Sequence, residues 1–194
     1  MTTRKRKKSI APFVIVVSII SAMLLGMLVY IIYSIYIDRN YPIKYEEYVE
    51  KYSAEYNVDK YLVYAVIKTE SGFRRDAVSN VGARGLMQIM EDTFDWIKFK
   101  MDDDDTVYTD MYDPETNIKY GCWLLGYLYE EFGNVEAVAA AYHAGRGNVN
   151  EWLADRRYSL DGEHLDKIPI KDTEHYVRKI TKAMDMYLRL YNKK

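Results

Sequence analysis

The feature that most constrains this chain is an uncharged segment that runs from Ile10 to Ile37. A helix that crosses the hydrocarbon core of a bilayer needs about 20 apolar residues, and this segment is longer. A cleaved signal peptide has a shorter apolar region and a small-x-small cleavage site, and the residues after Ile35 offer no such site. The alternative is a core helix of a soluble domain, but the length and the flanking charge favour a transmembrane signal anchor.

The charges next to this segment predict its orientation. Five basic residues lie between Arg4 and Lys8, and the first acidic residue is Asp38. Because basic residues stay on the cytoplasmic side of a membrane, the chain after the segment is expected to lie outside the cell. We therefore predict a single-pass protein of the cell membrane with four parts. These are a cytoplasmic basic tail (1–9), the transmembrane anchor (10–37), a linker (38–43) and an extracytoplasmic domain (44–194).

The composition of the exported part excludes several classes of function. Residues 38–194 carry 22 basic and 29 acidic residues, a net charge of −7, so we expect no nucleic-acid partner. Cys122 is the single cysteine, which excludes an intramolecular disulfide and a cysteine-rich zinc site. His164 and His175 show no ligand spacing with each other or with a carboxylate cluster. We predict neither a metal nor a cofactor.

The pattern of apolar residues predicts a mainly α domain. About 150 residues are enough for an independent core. No segment alternates for long between apolar and polar residues, so strands are at most minor. Capping residues and prolines mark several helix starts, among them Asp59, Asp113-Pro114 and Asn134. The predicted helices are Lys44–Tyr56, Lys60–Glu70, Leu86 to about Phe99, Glu115–Phe132, Val135 to about Tyr142, and about Thr173–Tyr191.

One acidic residue, Glu70, lies in the apolar stripe of a predicted helix. At about 100° per residue, Val63 and Ile67 are on the same side of the helix as Glu70. Glu70 is also at the C-terminal end, where the helix dipole disfavours an anion. Both effects raise the pKa of a carboxyl group, which then acts as a general acid near neutral pH. The alternative is a frayed helix end with Glu70 turned to water.

Three ordered motifs include or follow this acid, and the first of them consists of two stretches. Residues 70–73 read Glu-Ser-Gly-Phe, and residues 85–90 read Gly-Leu-Met-Gln-Ile-Met. Residues 141–145 read Ala-Tyr-His-Ala-Gly, and residues 168–177 contain Ile-Pro, Asp-Thr and Tyr-Val. Over roughly residues 50 to 190 the chain closely resembles the family-one lytic transglycosylases. The resemblance implies a goose-lysozyme-like helical fold.

Two positions depart from the pattern of that family. The chain has His143 where the family usually has asparagine, and Asp172 where it usually has glutamate. If the asparagine helps to position Tyr142, its replacement is expected to lower the rate. Asp172 is a shortened carboxylate at the corresponding place.

The resemblance implies a reaction and a set of site residues. Family members cleave the MurNAc–GlcNAc β-1,4 bond of peptidoglycan without adding water and leave a 1,6-anhydro ring. On this chain Glu70 is the expected single acid and base, and Tyr142 is expected to hydrogen-bond and orient it. The glycan strand is expected to contact Ser79, Gln88, Met90 and Tyr176, with Asp172 behind Tyr176. Met87 is expected in the core.

Two other functions stay open at this point. A hydrolytic muramidase shares the fold but adds water, and ordinary hydrolytic glycosidases need a second carboxyl group. No second acid stands out, since Asp76, Glu91, Asp92 and Asp95 read as surface charges. The other alternative is a non-catalytic glycan-binding scaffold within a secretion or cell-wall remodelling complex.

Overall fold

The computed structural model describes residues 11–192. The predicted cytoplasmic tail (1–9), the first residue of the predicted anchor (Ile10) and the last two residues of the chain lie outside the described residues. The described residues divide into two units, and the boundary lies between Pro42 and Ile43.

The first unit is a single long helix, α1 (Ala11–Asn40). From Phe13 onward this helix is long enough and apolar enough to cross a membrane. The helix continues for three residues beyond Ile37, the last residue of the predicted transmembrane segment. The side-chain amide nitrogen of Asn40 donates to the backbone carbonyl of Tyr36 at 2.8 Å, which satisfies one of the terminal carbonyl groups.

The second unit is a helical domain whose described part contains no strand, only two isolated bridges, which involve Val78, Arg84 and Ile89. A short 3₁₀ helix spans Tyr108–Tyr112. The α-helices are α2 (Glu46–Glu55), α3 (Lys60–Glu70), α4 (Glu91–Met101), α5 (Pro114–Phe132), α6 (Val135–Ala144), α7 (Arg146–Ala154) and α8 (Lys171–Tyr191).

The core of this domain lies around α3 and α5. Helix α5 contacts α2, α4 and α6, while α8 packs against α3 and α6. Two glycines of α5 permit close packing: a Cβ at Gly121 would lie 2.2 Å from the sulfur of Met87, and one at Gly126 would lie 2.6 Å from the carbonyl of Tyr56. Met87 is fully buried, which confirms the expected core role of this residue. Cys122 is likewise buried.

Three parts of the helix prediction differ from the structure. Residues 86–90 form a loop rather than a first helical turn, because Arg84 and Ile89 exchange two backbone hydrogen bonds, of 3.0 and 3.1 Å, that fold the chain back. Helix α4 therefore begins at Glu91. The 3₁₀ helix and α7 were not predicted. Helix α7 follows Gly145 directly and has no side-chain cap, so its start carries no capping signal.

Candidate active site

Helix α3 positions Glu70 at its last turn. The Asp59 carboxylate accepts a hydrogen bond from the backbone N–H of Tyr61 at 2.7 Å and caps the start of the helix. Residues 61–67 are all buried. Ser71, the next residue after Glu70, is also buried, and its hydroxyl donates to the carbonyl of Ile67. Glu70 therefore sits at the end of a buried helix and is itself half-buried.

The surroundings of Glu70 favour its neutral form. Burial raises the pKa of this carboxyl from its ordinary value of 4.5 to about 7, as the sequence predicted. The hydroxyl of Tyr176 donates a hydrogen bond to Glu70 Oε1 at 2.7 Å, which acts in the opposite direction because it stabilises the carboxylate. A carboxyl group with a pKa near 7 can both give and accept a proton at neutral pH.

The structure corrects the hydrogen bond predicted for Tyr142. Its hydroxyl donates to the backbone carbonyl of Met87 at 2.7 Å, and Tyr176 is the tyrosine that donates to Glu70. The reason is the packing of the helices: α8 lies against α3, so a buried residue of α8 reaches the end of α3. Tyr142 still lies close enough for the charge of Glu70 to raise its pKa further, after the larger effect of burial.

The residues that follow Glu70 in the chain form the loop wall, which we define as residues 71–90. One buried side chain holds this wall, since Asn117 of α5 is fully buried and makes three hydrogen bonds to backbone groups. Its oxygen accepts from the N–H of Met87 at 2.7 Å, and its nitrogen donates to the carbonyls of Arg84 and Met111 at 3.0 and 2.9 Å. Gly85 packs directly on this anchor: a Cβ there would lie 2.0 Å from the Met111 carbonyl.

The loop wall carries three of the predicted substrate-binding residues. The hydroxyl of Ser79 accepts from the N–H groups of Val81 and Ala83, which fixes a tight turn. Gln88 has a φ of 51°, and its side-chain nitrogen donates to two loop carbonyls at 2.9 and 3.1 Å. Met90 is 38% exposed and directly precedes α4. Ser79 and Gln88 are thus held by the loop to which they belong.

The residues of α6 and α8 next to Glu70 form the helix wall, which we define as residues 142–143 of α6 and 172–176 of α8. Tyr176 and Thr173 are buried, whereas Asp172 is exposed. Asp172 is thus an exposed residue of the first turn of α8, and its position behind Tyr176 stays a prediction. A charged side chain in the first turn of α8 stays in water, and the buried stripe of the helix passes through Thr173 and Tyr176 instead.

Comparison with known proteins identifies the domain. The model of the family described as "Transglycosylase SLT domain" matches residues 47–164, which is more than half of the chain. The chain belongs to this family. The match spans α3, the loop wall, α5 and α6, and it ends before Tyr176.

Named relatives agree with this assignment. The SLT domain chain is 31% identical over 159 residues to the soluble lytic murein transglycosylase of Escherichia coli K12, covering 80% of this chain and 24% of that protein. It is 30% identical over 168 residues to the membrane-bound lytic murein transglycosylase C of Serratia proteamaculans, covering 75% of this chain and 47% of that protein. The chain thus spans about a quarter to a half of the relatives it matches.

A solved structure gives the same result for the fold. The lytic transglycosylase Slt of Pseudomonas aeruginosa superposes with a TM-score of 0.71 at 27% identity, covering 80% of this chain and 26% of that one. That X-ray structure is of an inactive mutant in which glutamine replaces a glutamate. The prediction of a mainly α, lysozyme-like domain preceded by one long apolar helix is confirmed.

The SLT domain has a cavity of about 320 Å³ next to Tyr142. Its base is apolar and includes Leu124, Leu128 and Ala141, and the Trp96 side chain lines it as well. Polar groups from Asp92, Thr93 and Arg146 also contribute. Such a mixture of apolar surface and a few polar groups is typical of sites for small organic ligands. Tyr142 belongs both to this cavity and to the surroundings of Glu70.

The acids that lie near Glu70 in the sequence are all at the surface of the SLT domain. Asp76, Glu91, Asp92 and Asp95 are exposed, as predicted. None of the described acids appears among the groups that shift the pKa of Glu70.

Two residues that support the site were not predicted: Asn117 and Thr173. Asn117 lies on the apolar side of α5, four residues before Gly121, and an amide side chain in such a stripe is a signal for a buried hydrogen-bond anchor. Thr173 carried a weaker signal, since threonine at a helix start is ordinarily a cap.

Proposed function

We propose that this chain is a membrane-anchored peptidoglycan lytic transglycosylase, which cleaves the β-1,4 bond between MurNAc and GlcNAc and leaves 1,6-anhydro-MurNAc. The observation that carries this proposal is the single half-buried Glu70, whose carboxyl pKa is about 7 and which accepts a hydrogen bond from Tyr176. One carboxyl group that exists in both forms at neutral pH can act as an acid and then as a base.

In the first step Glu70 is the acid. Its proton passes to the glycosidic oxygen as the bond from that oxygen to C1 of MurNAc breaks, and the bonding electron pair leaves with the oxygen. The sugar then has oxocarbenium character, and Glu70 is a carboxylate. The hydroxyl of Tyr176, 2.7 Å from Oε1, stabilises this new charge.

In the second step Glu70 is the base. The C6 hydroxyl of the same sugar attacks C1, and its proton returns to the Glu70 carboxylate. A 1,6-anhydro ring forms, the acid is regenerated and no water is consumed. The reaction needs no second carboxyl group, unlike the ordinary two-carboxylate hydrolysis of a glycosidic bond.

The relatives support this proposal. Similar proteins from E. coli and S. proteamaculans are named lytic murein transglycosylases. In the P. aeruginosa protein, replacement of one glutamate by glutamine gives an inactive enzyme. This chain spans only part of those proteins, so their names do not establish how much of a glycan strand it binds.

We assign the remaining site residues as follows. Tyr142 lines the cavity and is close enough to Glu70 for that charge to act on its pKa, which supports a contact of Tyr142 with the sugar next to the cleaved bond. On the loop wall, the residues that contact the glycan are Ser79, Gln88 and the partly exposed Met90. Tyr176 acts on Glu70 rather than on the sugar, and the exposed Asp172 is at the rim.

The product distinguishes the enzymes that share this fold. The full-length protein in detergent is incubated with purified peptidoglycan, and the soluble fragments are analysed by mass spectrometry. We expect fragments that end in 1,6-anhydro-MurNAc, which are one water lighter than the products of a hydrolytic muramidase. Products that end only in reducing MurNAc would show the hydrolase instead.

A matched pair of variants separates an enzyme from a scaffold. Glu70→Gln keeps the shape of the side chain but has no proton to give, so lysis is expected to fall at least about a thousandfold while binding to peptidoglycan persists. Asp76→Asn removes an exposed acid nearby and is expected to retain wild-type activity. Equal lysis by wild type and Glu70→Gln would exclude the proposed role of Glu70.

We also propose that α1 anchors the chain with its N-terminus in the cytoplasm. Its length and apolar composition support this, and so do the basic residues that precede it. The test uses the fact that Cys122 is buried and is the single cysteine of the chain. A cysteine introduced at Leu160, which is 71% exposed, should react with a membrane-impermeant maleimide in intact cells, whereas one at Ser9 should react only after lysis. Labelling of the Ser9 position alone in intact cells would show the opposite orientation.

A further inference from the structure

We propose that His143 is a positioning residue for the reaction, since it holds the Tyr176 phenol whose hydroxyl donates to Glu70. This inference rests on the proposed function of Glu70 as general acid and base. His143 does not touch the carboxyl group itself. It acts through two contacts with α8, one to the ring of Tyr176 and one to Thr173.

The first contact is between two rings. The centroids of His143 and Tyr176 are 4.6 Å apart, and the ring planes are inclined at 33°. Tyr176 is buried, with 6% of its surface exposed, whereas His143 lies at the surface. The imidazole therefore covers the phenol ring on its outer side and restricts its rotation.

The second contact is a hydrogen bond. His143 Nδ1 lies 3.1 Å from the hydroxyl oxygen of Thr173, which is 1% exposed and one turn before Tyr176 on α8. A buried hydroxyl group without a partner is costly, so this bond fixes the imidazole relative to the helix that carries Tyr176. The ring contact and the hydrogen bond together tie α6 to α8 beside the catalytic acid.

This connection bears on the chemistry because of the hydrogen bond that Tyr176 makes. Its hydroxyl stabilises the ionised form of Glu70 and lowers the pKa of that carboxyl, against the larger opposite effect of burial. If the phenol ring is free to move, this bond weakens and the pKa of Glu70 rises. The carboxylate that must form in the first step is then less stable.

The charges around His143 indicate that it acts as a neutral ring. Partial burial of the imidazole, whose ring packs on Tyr176, lowers its pKa, and the carboxylate of Asp172 on α8 opposes this to a smaller extent. Tyr176 on α8 is the titratable group whose ring packs against the imidazole. At neutral pH we therefore expect ring packing and a hydrogen bond, rather than a positive charge, to hold Tyr176.

Three substitutions separate the two contacts. His143→Phe keeps a ring against Tyr176 and removes the hydrogen bond, His143→Asn keeps a polar side chain and removes the ring, and His143→Ala removes both. Thr173→Val and Thr173→Ser test the same hydrogen bond from α8, since serine retains the hydroxyl group. The matched control is His164→Ala, because His164 is an exposed histidine that pairs with Asp161.

The decisive measurement is the pKa of Glu70 in the full-length protein, by NMR titration of the ¹³C-labelled carboxyl with Glu70→Gln for assignment. We expect His143→Ala to raise it by about 0.5 to 1 unit, with smaller rises for His143→Phe and Thr173→Val and none for Thr173→Ser or the control. In kinetics on soluble glycan strands we expect His143→Ala to lower kcat about tenfold and to change KM less than twofold.

The outcomes distinguish the inference from the proposed function. An unchanged pKa of Glu70 in His143→Ala would overturn the inference, and so would a change in KM alone, which would make His143 a ligand contact. If the pKa of Glu70 shifts in His143→Ala but the wild type does not cleave peptidoglycan, the positioning role of His143 stands and the proposed enzymatic function is refuted. A lower melting temperature with an unmoved pKa would show a structural role only and would also refute the inference.

Discussion

The two walls of the site are built in different ways. The loop wall is held mainly by hydrogen bonds of its backbone. Its N–H and C=O groups bond to each other, to Ser79 and to the buried side-chain amide of Asn117. In the helix wall regular helices supply the backbone, and side chains make the contacts that matter. There Tyr176 donates to Glu70, and His143 contacts both Tyr176 and Thr173.

This difference decides what each wall tolerates. A wall fixed by backbone hydrogen bonds and a close-packed glycine has little room to relax, so changes there are expected to appear as lost stability. A wall fixed by side chains on stable helices can lose one contact and keep its fold, so changes there are expected to appear in the properties of Glu70.

The largest effect is expected for Gly85→Ala in the loop wall. Gly85 has a φ of 79°, and a Cβ there would lie 2.0 Å from the Met111 carbonyl and 2.3 Å from the amide nitrogen of Asn117. Strain and overlap together are expected to lower the free energy of unfolding by about 4 kcal/mol. Thermal or urea unfolding measures this.

Gly82→Ala is the matched control for that experiment. Gly82 also has a positive φ, of 90°, but a Cβ there meets nothing within 4 Å. We expect a cost of only about 1 kcal/mol from the backbone conformation. Equal losses in the two variants would mean that backbone strain alone, and not the contact with the Asn117 anchor, makes glycine necessary at position 85.

The same contrast explains what the sequence predicted well and what it did not. The order of the motifs predicted a loop after Glu70, and the apolar stripe of its helix predicted apolar surroundings for Glu70. The extent of the loop was not predicted, because residues 86–90 were expected to be helical. The hydrogen-bond partner of Glu70 depends on how α6 and α8 pack, which no spacing within one helix shows. Tyr142 was therefore predicted as the partner that Tyr176 proves to be, and Thr173 was part of a motif but had no predicted role.

The next effect in size is expected for Asn117→Ala. The change leaves the N–H of Met87 and the carbonyls of Arg84 and Met111 without their buried partner. We expect a loss of about 3 kcal/mol in the free energy of unfolding, and lysis should fall with it because the loop wall loses its anchor. Asn80→Ala, at an exposed position of the same loop, is the control. A loss below 1 kcal/mol would contradict the anchoring role.

Replacement of Glu70 by glutamine is expected to increase the free energy of unfolding at alkaline pH. The folded-state pKa of about 7 lies above the ordinary 4.5, so the folded protein binds this proton more tightly than the unfolded chain does. The stability that protonation provides is present below pH 4.5 and is lost as the pH rises through 7. Glu70→Gln removes this dependence and should be more stable than wild type by about 2 kcal/mol at pH 8 and equal to it at pH 4.

Chemical denaturation at several pH values measures this difference. Asp76→Asn serves as the control, because it removes a negative charge at an exposed position close to Glu70. A difference between Glu70→Gln and wild type that does not change from pH 4 to pH 8 would show that the folded protein does not raise the pKa of this carboxyl.

The smallest effect, and the one that most sharply separates a bond to Glu70 from a bond to the loop wall, is expected from the pair Tyr176→Phe and Tyr142→Phe. Each removes one hydroxyl group of similar setting, but the first donates to Glu70 and the second to the Met87 carbonyl. Loss of the Tyr176 hydroxyl leaves burial unopposed, so the pKa of Glu70 should rise. The alkaline limb of the kcat profile, which requires protonated Glu70, should move up by about one pH unit.

Tyr142→Phe should leave that limb in place and lower stability by about 1 kcal/mol, because the loop wall loses one hydrogen bond. If this variant also lowers kcat without moving the limb, Tyr142 acts on the sugar beside the cavity rather than on Glu70. If instead Tyr142→Phe moves the limb and Tyr176→Phe does not, the tyrosine of α6 is the partner of Glu70 during catalysis, and the helix wall must rearrange when the glycan binds.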